Sequence, residues 1–163
     1  GGGAAEFCRE VGVEAVLWGR AETGSPEVLA TLNQFDVVLN CIGTDEVGPP
    51  FLREADLAVG RLSVLADVTC DVGSPVHRFP FYSRITTFDD PVLAVGPADA
   101  PVHVLAIDHL TTWLPAEASA LIAEPLFAPL QELLAAQPGP WPGPWRTTRE
   151  LFVAETKGLR GVR

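Results

Sequence analysis

Short apolar runs, several rich in β-branched residues, alternate along the chain with stretches whose apolar positions recur at helical spacing. The first helical stretch follows Gly1, Gly2 and Gly3 and puts Ala4, Phe7, Cys8 and Val11 on one face. Residues 13–18 then read as a short buried strand, left through a loop from Gly19 to Ser25. A short helix is predicted over 26–34, with Pro26 in its first turn and Ser25 as its cap. Residues 37–42 form a β-branched run of the kind found in a parallel strand covered on both faces, and it closes at Gly43 and Thr44.

Phe51, Leu52, Leu57 and Val59 are predicted to line a helix or turn packed on the sheet. Residues 62–67 give the next strand, with Asp67 and Asp71 straddling its exit. Residues 72–101 are rich in Gly and Pro and carry His77, Arg78, Tyr82 and Arg84 amid Phe79, Phe81 and Phe88. So long a loop is usually functional or a contact between lobes, although the same residues also suit a structural cover. Within and after it, residues 91–96 and 102–107 read as two more strands. The second ends on Asp108 and His109, polar side chains that would need partners if buried at a strand exit.

Beyond Leu114 and Pro115, residues 117–136 read as one or two helices with Leu121, Leu126, Leu130 and Leu134 on the buried side. The proline-rich residues 138–145 read as a rigid tether, because proline removes the amides that helix and inner strand need. Residues 147–159 form a last amphipathic helix with Leu151 and Phe152 apolar. This order predicts an α/β, Rossmann-like doubly wound parallel sheet, truncated at its first strand, with carboxy-terminal helices. It divides into an incomplete dinucleotide-binding domain over 1–115 and a helical segment over 116–163.

Composition narrows the function. The 163 residues are one domain's worth, and 47% hydrophobic against 20% charged residues predicts a packed core. A net charge of -10 with no run of Lys or Arg argues against nucleic acid or an anionic membrane as partner. No apolar stretch has the length of a membrane span, and no secretory leader pattern opens the sequence. Cys8, Cys41 and Cys70 make neither a metal-ligand spacing nor a disulfide framework, so a cytoplasmic protein without a metal site is expected.

The glycines carry the first candidate chemistry. Glycine lets backbone approach a pyrophosphate, and the free amides of the following helical turn receive its charge. Because no strand precedes Gly1, the three glycines are either the tail of such a turn or an appended flexible end. The residue that touches the adenosine ribose stands about 20 positions past these glycines, and Gly19 and Arg20 occupy that place. Arg20 beside a small residue could accommodate the 2′-phosphate of NADP; equally, Arg20 is a surface residue and Glu22 takes the ribose. Asn40 either borders open backbone where a cofactor lies or is a structural strand end. Among the histidines, His103 alternates with apolar residues and reads as structural, His77 as loop surface or cleft, and His109 as a site residue.

Asn40, Cys41 and Ile42, then Leu65 to Val68 with Cys70 and Asp71, then Ile107 to Leu110 with Leu114, Pro115 and Glu117 to Ser119 come in a characteristic order and spacing. Together they resemble the cofactor-binding part of the NAD-dependent, lysine-forming saccharopine dehydrogenase family, itself similar to alanine dehydrogenase and transhydrogenase. The resemblance runs over nearly the whole chain, Trp145 and the final helix included. It implies two Rossmann-like lobes around a cleft, in which saccharopine is oxidatively deaminated through an imine to L-lysine and 2-oxoglutarate with NAD. It further implies cofactor contacts at Gly1, Gly3, Thr23, Gly43, Val68, Ile107, Asp108, His109 and Leu110, and substrate contacts at Thr69, Cys70 and Asp71. Val68 and residues 107–110 would border the nicotinamide, with Asp108 the partner of its carboxamide or ring face.

Three departures from the family matter. Gly19 stands where the family has its ribose-binding Asp, which leaves NADP open beside NAD. Cys41 stands where some members place a disulfide partner whose companion is missing here, so a free thiol is expected. The family's catalytic lysine and histidine belong to an amino-terminal lobe outside this sequence, so no catalytic residue is assigned and the chain is not expected to catalyse alone. The helical segment would pack back on that lobe. Two alternatives stand beside this reading: an NADP-dependent imine or amino-acid reductase of the same superfamily, and a non-catalytic nucleotide-binding module.

Overall fold

The computed structural model describes residues 1–135 and 143–157, apart from the side chain of residue 144. It divides into one compact unit, Gly1–Leu110, and a second that starts at Thr111.

In the first unit, helices α1 (Gly2–Glu10), α2 (Arg20–Thr23) and α3 (Pro26–Leu29) precede a sheet of four strands. These are β1 (Val37–Asn40), β2 (Val64–Asp67), β3 (Leu93–Val95) and β4 (Val102–Leu105), in the spatial order β1-β2-β4-β3. β1 pairs with β2 and β2 with β4 in parallel, whereas β3 runs antiparallel to β4. The expected α/β, Rossmann-like sheet is thus present and mostly parallel, with an antiparallel edge strand as its departure from the all-parallel expectation. All three parallel strands leave the sheet at the same end.

The register explains the core. Val38, Leu65 and Val104 lie side by side across the parallel strands and point to one face, where they pack with Leu52, Leu57, Phe79 and Tyr82. Side chains alternate faces along a strand. The next inward positions after Val38 and Leu65 are therefore Asn40 and Asp67, and the same apolar layer ends on polar residues. The opposite face is more open: Val37 and Leu39 are exposed, so the expectation of a strand covered on both faces fails for β1.

Residues 13–18 depart furthest from expectation. They run without strand pairing, and Val13, Val16 and Leu17 are exposed. An apolar run becomes a strand only when a neighbour completes its hydrogen-bond ladder; the Val13 N–H bonds instead to Cys8 O at the end of α1. Phe7, Val11 and Val59 are likewise exposed rather than packed. The helix expected over 26–34 is split into α3 and a 3-10 turn, Leu32–Gln34; Ser25 caps α3, its Oγ accepting from the Val28 N–H at 3.4 Å.

The connection into β2 is held by Asn33, which is buried. Its Nδ2 donates to the carbonyls of Asp56 and Val59, and its own carbonyl accepts from the amides of Arg61 and Leu62. Gly60 turns back over this residue with φ +108°, where a Cβ would collide with the Asn33 carbonyl.

The second unit holds α4 (Pro115–Ala135) and α5 (Gly143–Thr156). Pro125 and Pro129 lie inside α4, and the Trp145 Nε1–H donates to the Pro129 carbonyl at 2.7 Å, tying the two helices together. Leu121, Leu126, Leu130 and Leu134, the side of α4 expected to be buried, are all exposed in this chain, Leu134 at 86%. Residues 143–145 open α5 rather than belonging to a tether, because Pro144 falls in the first turn, where no amide is needed. The rest of that tether, residues 138–142, lies outside the described residues, as do the last two positions expected of the final helix. No described helix is long and apolar enough to cross a membrane.

Gly60→Ala should cost about 1–3 kcal/mol, the range for a strained backbone position, to which the clash with Asn33 adds. Urea denaturation followed by circular dichroism measures it; an unchanged midpoint would show that the turn relaxes freely.

Candidate functional site

Asp67 is 2% exposed and makes no ion pair among the described residues. A buried carboxylate without a cation needs donors, and Asp67 has three. Oδ1 accepts from Asn40 Nδ2 at 2.9 Å and from the Cys70 N–H at 3.1 Å, and Oδ2 accepts from the Tyr82 hydroxyl at 2.6 Å. Asn40 Nδ2 also reaches Thr69 Oγ1 at 3.1 Å, and the Thr69 hydroxyl donates to the Ile42 carbonyl at 3.2 Å. One side chain thereby joins the exit of β1, the turn after β2 and the long loop. Burial, then the hydrogen bond to Asp67, raises the Tyr82 phenol far above its ordinary range, so it donates at any ordinary pH.

The turn it shapes carries the expected substrate residues. Cys70 has φ +54°, a left-handed conformation unusual for a residue with a Cβ. Its amide is held by Asp67, and its thiol lies 3.2 Å from the Ala106 carbonyl. Burial, then the charges of Asp108, Asp67 and Asp71, push that thiol up to about 11. It is therefore a poor nucleophile at neutral pH. Burial also raises the Asp71 carboxyl, against a lowering by His77. His77 lies edge-on to Tyr82 with ring centroids 4.7 Å apart; burial lowers its imidazole against the raising effect of Asp67 and Asp71. Among the described residues no group of His, Cys, Asp and Glu could hold a metal ion.

Ile107 is buried and bridged to Thr86, whose Oγ1 accepts from the Ala106 N–H at 2.9 Å. Asp108 and His109 lie 3.3 Å apart with side chains 54% and 77% exposed. This corrects the premise that they are buried polar groups in need of partners: β4 ends at Leu105, and water solvates the pair. His109 has φ +58°, so the chain reverses there, leaving Leu110 half exposed. Val68 is exposed, its N–H bonded to the Asn40 carbonyl at 2.9 Å. Gly43 follows β1 with no atom within 4 Å of an added Cβ.

The structure thus brings Val68 to Asp71 and Ile107 to Asp108 together around Cys70, beside the exit of β1. Gly1, Gly3 and Thr23 are elsewhere. Gly1 and Thr23 line a cavity of about 320 Å³ together with Cys8, Trp18, Phe35 and Asn40. Gly2 and Gly3 have open space where a Cβ would stand, as backbone that must approach a pyrophosphate requires. These residues fit a dinucleotide: open glycines at the start of a helix at one end, and a polar cluster at the strand exits. Asp67 and Tyr82 are the organising residues that sequence reasoning missed. The available signal was an acid ending an apolar strand with no cation near it in sequence, together with the chain's single tyrosine.

A mostly parallel α/β sheet with polar residues gathered at its strand exits is the class of Rossmann-like nucleotide-binding folds. Over nearly all its length, the chain is a relative of the NAD-dependent, L-lysine-forming saccharopine dehydrogenases. It is 32% identical to that enzyme from Yarrowia lipolytica over 158 residues, covering 93% of this chain and 42% of the relative. It is 31% identical to the enzyme from Emericella nidulans over 163 residues, 93% and 42% of the two chains. For the Schizosaccharomyces pombe enzyme the figures are 30% over 166 residues, 98% and 44%. The chain therefore spans less than half the length of these curated relatives. No family model matches it.

Two outcomes follow from the cluster. Tyr82→Phe strips a donor from the buried Asp67 carboxylate and should cost about 1.5–3 kcal/mol in urea denaturation; a loss no larger than that of an exposed control would remove Asp67 from its central place. Because the folded Cys70 thiol sits above the roughly 8.5 of an unfolded one, its contribution is complete below that pH. It is lost as pH rises towards about 11, since the unfolded chain releases the proton first. Alkylation at pH 8 read by mass spectrometry should accordingly modify Cys8 and Cys41 well before Cys70.

Proposed function

We propose that this chain is the cofactor-holding part of an oxidoreductase of lysine metabolism that oxidatively deaminates saccharopine. The observation that carries this reading is the joining of Thr69, Cys70, Asp71 and Asp108 at the exits of the parallel strands, in a chain whose relatives carry that activity in their names. In the balanced reaction, saccharopine, NAD and water give L-lysine, 2-oxoglutarate, NADH and a proton.

Bound NAD supplies the hydride acceptor. This chain's residues hold and orient. The carboxylates of Asp67, Asp71 and Asp108 around Cys70 repel phosphate, so the pyrophosphate belongs at the open glycines and the nicotinamide at the strand exits. Asp108 accepts from the nicotinamide carboxamide, Val68 and Ile107 border the ring, and Thr69 to Asp71 face the amine-bearing substrate. Gly43 leaves the backbone beside them open. The groups that move protons belong to the rest of the longer protein, onto which the apolar side of α4 packs.

The test uses the full-length protein and reads absorbance at 340 nm. Saccharopine with NAD should yield NADH, and Asp108→Ala should raise KM for NAD about tenfold, the loss of one good hydrogen bond. No NADH from saccharopine, with a folded protein, would overturn the reading; reduction of another imine with NADPH, or oxidation of another amino acid with NADP, would put the reductase in its place.

A further inference from the structure

Gly19 offers no side chain at the position where a ribose-recognising acid is expected, yet a carboxylate lies there. The Gly19 N–H donates to Glu22 Oε2 at 2.7 Å. A Cβ built on Gly19 would stand 3.5 Å from the same oxygen, so the Glu22 carboxylate fills the place that an acidic side chain at position 19 would reach. The Thr23 hydroxyl donates to the Gly19 carbonyl at 3.0 Å, fixing the turn from its other side. Thr23 lines the cavity that Gly1 also lines, so the end of this turn and the first glycine border one space. The carboxyl of Glu22 is held below its usual range by the Gly19 and Glu22 amides and is an anion at neutral pH. Arg20 is exposed and makes no ion pair among the described residues.

We propose that Glu22 takes the part of the acid absent at position 19: its carboxylate accepts from the adenosine ribose hydroxyls and excludes a 2′-phosphate, selecting NAD over NADP. Oε2 is engaged by the Gly19 amide, and the carboxylate's remaining lone pairs are available to a diol. A phosphate ester at the 2′ position would bring two anions into contact. This rests on the dinucleotide-binding reading above, and the two fail differently.

Titration of the full-length protein with NADH and NADPH, followed by nucleotide fluorescence, separates them. The wild type should bind NADH at least about tenfold tighter than NADPH, and Glu22→Gln should bring that ratio down to within about threefold. Adding Gly19→Asp to Glu22→Gln should restore the preference, because it returns an acid to the same place. A purely structural cap would weaken both nucleotides alike and leave the ratio unchanged; that result, or a wild type preferring NADPH, overturns the proposal. Absence of binding by either nucleotide would overturn the dinucleotide reading itself, and the proposal with it.

Discussion

Asp67 occupies the place where a strand of period two must put its last inward side chain, one step beyond the apolar layer of Val38, Leu65 and Val104. A carboxylate there is tolerated only if donors come to it, and they come from three separate segments: Asn40 on β1, the Cys70 backbone, and Tyr82 in the long loop. Leaving any one out would strand buried polarity at a cost comparable to a large share of a domain's stability. The requirement therefore fixes where the loop returns and forces Cys70 into its left-handed turn. Residues 69–71 owe their position to a carboxylate that faces away from solvent.

The strands built of β-branched runs were legible, because burial of one face leaves alternation in the sequence: β1, β2 and β4 each fall within the expected limits. Residues 13–18 look the same on paper but have no ladder partner, and a strand is a property of two segments. Asp108 and His109 were rightly located at a strand exit and wrongly judged buried, since nothing in the composition of 102–107 marks where inward alternation stops. The acid ending β2 and the single tyrosine were visible, but that they meet depends on how a proline-rich loop folds back. Pro144 misled in the opposite direction, being harmless in the first turn of α5.

Charge divides the first unit into two kinds of surface. Around Cys70 the charges of Asp67, Asp71 and Asp108 gather, while the start of α1 presents open glycines and backbone amides. A ligand that is anionic in its middle and neutral or cationic at one end suits that division, and an extended dinucleotide beside an amine is such a ligand. The Cys70 thiol is itself half-buried and faces this negative charge.

The outer edge of β1 has no strand partner among the described residues, and the exposed Val37 and Leu39 lie along it. A bare edge is a template on which another strand can zip, whether from the same polypeptide or a stranger. Mutual repulsion between chains of net charge -10 slows such encounters, and salt removes that protection by screening. The consequence for handling is that a solution of this segment should keep longest dilute and at low ionic strength, where that repulsion is least screened.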